Sequence, residues 1–128
     1  YVALDTLPEI AQLTDFTFGR VWEVSAGSRV SVAASFTSTS DVPIEAVRVA
    51  IVLVDYFDEI IADYKVSLMG LVEPGETIPL KQDVPLLARR TPLMGFIWID
   101  AVRLSDGRLI RVRREDVERM MAEHHYGR

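Results

Sequence analysis

Alternation with a period of two, held through separate stretches of the chain, restricts its fold more than any other feature. In VSVAASF (30–36), Val30, Val32, Ala34 and Phe36 share one face, and Ser31, Ala33 and Ser35 share the other. Side chains of a strand alternate sides, so this is the pattern of a half-buried strand. IEAVRVAIVLVDYF follows from 44 to 57, with Val47, Val49, Ile51 and Leu53 alternating with Arg48, Ala50, Val52 and Val54. Both faces become apolar toward its end, as expected of a central strand covered on two sides. Ile60, Ala62, Tyr64, Val66 and Leu68 then alternate with Ile61, Asp63, Lys65 and Ser67.

Turn chemistry separates these runs. TSTSDVP (37–43) is polar and ends in a proline that cannot donate to a ladder. EPGE (73–76) places Pro-Gly where a type II turn needs them, and a proline-punctuated strand over 77–86 suits a sheet edge. LLARRTP (86–92) reads as a loop. MGFIWIDAVRL (94–104) is strongly β-prone, and Ser105-Asp106-Gly107-Arg108 turns it back into LIRV. FTFGRVWEV (16–24), with Phe16, Phe18, Trp22 and Val24 in phase, reads as a first strand after an irregular lead-in over 1–13. The sandwich is therefore expected over 14–113.

At the C-terminus the period changes. Val117, Met120, Met121 and His124 fall at i, i+3, i+4 and i+7, which predicts a helix over 114–126 with Glu115 and Asp116 in its dipole-favoured first turn. Short strands with frequent turns, no internal repeat and no linker predict one domain over 1–128, an antiparallel β-sandwich of about seven strands with a short C-terminal helix.

Composition removes several function classes. The chain has 128 residues and a net charge of −5, unevenly distributed. Residues 1–102 hold 7 basic and 14 acidic side chains, a balance of −7, whereas residues 103–128 hold 7 arginines and 5 acids, a balance of +2. An acidic body opposes the broad positive face that nucleic acid requires. The absence of cysteine removes disulfides, thiol catalysis and thiolate-bound metals. No apolar run reaches the roughly 18 residues of a membrane span. No signal peptide is visible, and the opening on Tyr rather than Met is read as a trimmed or mature form.

Three segments taken in order, VSVAASFTSTSDVPI, VRVAIVLVDYFDEII and LVEPGETIPL, resemble the small bacterial immunoglobulin-like sandwich domains of the FxLYD type. The matching positions are Ser40 and Asp41, then Asp55, Tyr56, Asp58 and Glu59, and then Pro74, Gly75 and Glu76. The likeness spans about residues 28–82 and consists of fold punctuation. Glu59 stands where such hairpins usually have glycine, and the C-terminal helix is an addition. The resemblance implies an immunoglobulin-like sandwich and an envelope-associated or secreted binding module without enzymatic activity. An extracytoplasmic setting follows from the resemblance alone.

The candidate sites are few. VDYFDEIIADY (54–64) gathers Asp55, Asp58, Glu59 and Asp63, oxygen ligands of the kind calcium takes, but without the alternating positions and central glycine of an EF-hand loop. The other reading is a solvated hairpin, since Asp favours turns. His124 and His125 are adjacent on a helix and diverge by about 100°, so they cannot chelate together. No Gly-x-Ser-x-Gly elbow, phosphate loop or dinucleotide fingerprint occurs. The stripe Val117, Met120 and Met121 covers either its own sandwich or a protein partner, and Arg111 and Arg113, expected on one strand face, either pair with the acidic body or meet an acidic partner. Trp22, Tyr56, Phe57 and Trp98 read as core or core-edge aromatics. The sequence thus predicts a non-catalytic protein-binding or assembly module with no cofactor. The alternatives are a calcium- or metal-dependent activity at 55–63 and a structural accessory domain of a larger protein.

Overall fold

A computed structural model describes residues 2–24, 27–57, 59–86 and 93–125, with side chains outside 20–28 and 125. Its elements are β1 (Val2–Leu4), β2 (Ala11–Val24), β3 (Gly27–Ser38), β4 (Ile44–Val54), β5 (Ile60–Val72), β6 (Thr77–Pro85), β7 (Met94–Leu104), β8 (Leu109–Arg111) and α1 (Arg114–His125). A smaller sheet runs β2-β3-β6. A larger one runs β1-β7-β4-β5, with β8 also on β7. Every pairing is antiparallel except β1 on β7, where Val2, Ala3 and Leu4 run parallel to Phe96, Ile97 and Trp98.

The two sheets close over one core. Val30, Val32, Ala34 and Phe36 of β3, with Leu80 and Val84 of β6, meet Val47, Val49, Ile51 and Leu53 of β4 and Ile97, Ile99 and Val102 of β7. Ser31, Ala33 and Ser35 are only half-buried, as the alternation in β3 predicts. Gly95 is required by this packing: a Cβ there would collide with the Phe18 ring.

The lead-in expected to be irregular over 1–13 is corrected in two places. β1 lies within it, and β2 begins at Ala11 rather than at Phe16. The cause of the second difference is a bulge between Thr14 and Thr17, where Asp15 adopts φ 54°, a conformation aspartate tolerates. The bulge moves the inward phase from Ala11 and Leu13 to Phe16 and Phe18, so no single alternation runs through the strand. A second irregularity between Phe18 and Val21 breaks the phase expected to carry on to Trp22 and Val24, whose side chains lie outside the described residues. The loop expected at 86–92 also lies outside them, apart from Leu86.

A bulge in β5 decides the shape of the outer surface. Leu53 pairs with Ala62 but Val54 pairs with Ile60, leaving Ile61 as the extra residue. Ile61 is buried in the inter-sheet core, whereas Ile60, expected inward by alternation, is 53% exposed on the outer side.

Candidate functional site

Within the acidic bend, Asp55 caps its own backbone. Asp55 is 1% exposed, and its Oδ1 accepts the backbone N–H groups of Phe57 at 2.8 Å and Glu59 at 3.0 Å. The Asp55 N–H in turn donates to the Glu59 carbonyl at 2.9 Å. Aspartate suits this because its short carboxylate reaches its own backbone two and four residues on. Asp63 sits elsewhere, opposite Val52 on the outer side of β5, so the structure does not bring it to Asp55. Asp58 lies outside the described residues. Among the described residues, no group of three or more potential ligands is placed to hold a metal ion. Tyr56 and Phe57, expected at the core edge, instead stand 64% and 78% exposed at the tip of the β4–β5 hairpin, because Asp55 turns the chain outward before them.

The concave site lies beside this tip. On the outer face of the larger sheet, Ala50, Val52 and Val54 of β4 join Phe96 and Trp98 of β7 and Leu4 of β1, and α1 packs on them through Val117. Val117 is buried, and Met120 and Met121 are half-buried in the same cluster. The methionine stripe therefore faces the chain's own sheet. His124 is exposed, and the side chain of His125 lies outside the described residues.

The helix does not cover the whole face. Between α1 and the sheet a cleft of about 420 Å³ remains, floored by Val52, Val54, Phe96 and Trp98, walled by Val117 and Met121, with Ile60 at its mouth. Its polar groups lie at the rim. Lys65 Nζ stands 3.6 Å from Asp100 Oδ2, Trp98 Nε1 donates to Asp100 Oδ1 at 3.3 Å, and Arg114 Nε donates to Glu118 Oε1 at 3.1 Å. An apolar interior with a few polar groups at the edge is the usual make-up of a binding pocket of this size. Ile60 extends its apolar surface toward the hairpin tip, which carries the exposed Tyr56 and Phe57.

Arg111 and Arg113 do not share a strand face, since β8 ends at Arg111. Arg113 Nε lies 3.9 Å from Glu115 Oε2, while Arg111 faces outward on the larger sheet beside Ala101. Alternation shows that the cleft floor is covered but not that a cleft remains beneath its cover. The available signal was the doubled apolarity of Ala50, Val52 and Val54, matched by FIWI at 96–99, which requires a second cover on that side of the sheet. Among the described residues, no helix is long and apolar enough to cross a membrane.

No protein-family model matches the chain, and no curated protein matches it. Among solved structures, the crystal structure of a Bordetella pertussis protein described as ApaA is similar at 16% identity, covering 82% of this chain and 91% of that chain with a TM-score of 0.45. At that distance the functional reading rests on the chain's own geometry.

Proposed function

We propose that the chain is a non-catalytic, immunoglobulin-like binding module that takes an apolar segment of a protein partner into the cleft between α1 and the larger sheet. The observation that carries the reading is the cleft itself: an apolar floor and walls, ion pairs at the rim, and exposed Ile60 at its mouth, with exposed Tyr56 and Phe57 on the hairpin that follows Val54. Exposed aromatics next to a preformed groove are favoured as contact anchors. The immunoglobulin-like reading is supported by strand adjacency. β3 lies beside β6, and β4, β7 and β8 lie side by side, as strands B and E and strands C, F and G do in immunoglobulin domains. The parallel β1 strand is an addition to that plan. The bacterial, envelope-associated setting rests on the resemblance of the fold punctuation.

The test begins with peptides selected on the intact chain from a random display library. Their binding should shift the amide resonances of Val52, Val54 and Trp98, and both Ile60→Asp and Met121→Trp should weaken it by about tenfold or more. Peptides that bind elsewhere, or that ignore both substitutions, would remove the cleft as the site. A selection that yields no binders would favour a structural accessory domain.

A further inference from the structure

Beyond the Lys65–Asp100 ion pair, the outer face of the larger sheet changes character. Arg48 of β4 and Arg111 of β8 both pair in register with Ala101 of β7, from opposite sides. Their Cα atoms therefore stand about 10 Å apart, two strand spacings, within reach of two long side chains bending toward one point. Arg103 lies two residues along β7 from Ala101, on the same face. The small methyl of Ala101 leaves a depression of about 250 Å³ between the three arginines, bordered by Ser67, Met69 and Leu109.

The charges in this depression are not neutralised the way their neighbours are. Of the six arginines between 103 and 119, four have a carboxylate within 4.0 Å: Arg108 with Asp106, Arg113 with Glu115, Arg114 with Glu118, and Arg119 with Asp116. The two without one among the described residues, Arg103 and Arg111, are the two that face the depression with Arg48, which also has none. Two acids of β7 and its hairpin are engaged elsewhere, Asp100 with Lys65 and Trp98, and Asp106 with Arg108. Arg103 is also held in place, its Nη1 donating to the Gly107 carbonyl at 2.9 Å. Like charges on neighbouring positions of a sheet repel, so an acidic chain that gathers three guanidinium groups around one alanine leaves an unmet demand for an anion.

We propose that Arg48, Arg103 and Arg111 form a binding site for the phosphoryl dianion of a small organic phosphate. Guanidinium groups match tetrahedral oxyanions through paired N–H donors, and three positive charges suit a dianion better than a single carboxylate. The Ser67 hydroxyl adds a donor at the edge. Met69, 81% exposed, and Leu109, 42% exposed, offer apolar contact to the organic part. The site is separate from the cleft under α1 and does not depend on the function proposed for it.

The experiment titrates the full chain with phenyl phosphate at low ionic strength, by calorimetry and by the arginine Nε–Hε resonances, alongside benzoate and vesicles of phosphatidylserine in phosphatidylcholine. Phenyl phosphate should bind more tightly than benzoate and weaken as salt is added. Arg48→Gln and Arg111→Gln should each reduce its affinity by about tenfold or more, the loss of one charge-assisted hydrogen bond. Arg119→Gln, which removes an arginine already paired with Asp116, should leave the affinity unchanged. All three positions are exposed, and an unchanged thermal midpoint would show that the variants remain folded. Equal affinity for benzoate, equal loss in Arg119→Gln, or no binding of phenyl phosphate would overturn the site. Binding to vesicles without binding of phenyl phosphate would overturn the small-ligand assignment.

Discussion

One face of the larger sheet carries two surfaces that differ in almost every respect. Toward the β4–β5 hairpin, Ala50, Val52, Val54, Phe96 and Trp98 are covered by α1, with Phe96 only 1% exposed. Toward the β7–β8 hairpin, Arg48, Arg103 and Arg111 lie open around Ala101. The strands are the same, so backbone propensity does not separate them. Their difference shows that a single strand can serve two purposes when its alternation is interrupted. In β7, Ile99 pairs with Val49 but Ala101 pairs with Arg48, and Asp100 is the residue left over. This bulge lies at the boundary, and the Lys65–Asp100 ion pair marks it.

Substitutions in the covered half should carry the largest effects. Phe96→Ala should cost about 3–5 kcal/mol in urea unfolding, against a change within about 0.5 kcal/mol for Arg111→Ala in the open half. Comparable costs at the two positions would end the contrast. Next comes the cover itself. Val117→Asp places a carboxylate in the outer cluster and should detach α1, costing about 2–3 kcal/mol, with helical circular dichroism reduced and the inter-sheet core still unfolding cooperatively. Loss of the whole fold would make the outer cluster part of the main core.

A smaller effect is expected at the hairpin tip. Asp55→Ala strands two backbone N–H groups and should cost about 1–3 kcal/mol, while Asp55→Asn keeps an acceptor oxygen and should cost less than about 1 kcal/mol. A calcium-dependent rise in the wild-type midpoint that Asp55→Asn abolishes would support the metal reading.

The smallest effect belongs to the open half. The Arg108 backbone N–H, followed by the Arg108 side chain, holds the Asp106 carboxyl below its ordinary pKa. A lowered folded-state pKa contributes stability above the unfolded value and loses it as pH falls through the folded one. A carboxyl titration followed by NMR should therefore find Asp106 below an ordinary aspartate, and Arg108→Ala should move it upward.

Much of the fold was legible because its strands obey a simple period. The inward set of β3, the two-sided burial of β4, the Asp-Gly hairpin after β7 and the helical stripe at Val117, Met120 and Met121 all follow from spacing and turn chemistry. What escaped lies at bulges. Simple alternation puts Ile60 in phase with Ala62 and Tyr64 because it carries no mark of an extra residue, and Asp15 shifts β2 for the same reason. β1 leaves no mark in the sequence because three residues are too few to display a period, and its pairing with β7 joins positions far apart in sequence. The candidate site was only partly legible. The acids at 55–63 attract notice by composition, but register separates Asp55 from Asp63. The cleft and the arginine depression each depend on which distant residues share a face, as Arg48 and Arg111 do across Ala101.

The irregularity at Asp100 also bears on how such a surface changes over generations. A bulge bends its strand and sharpens the local twist, so the surfaces on either side tilt away from each other. Residues separated in this way and sharing no partners have nearly additive effects on stability. Replacements around Ala101 can then accumulate or revert without repacking Phe96 and Trp98, and the converse holds for the helix-covered side. One sheet face thus offers selection two nearly independent patches, each free to gain or lose a ligand while the other is kept.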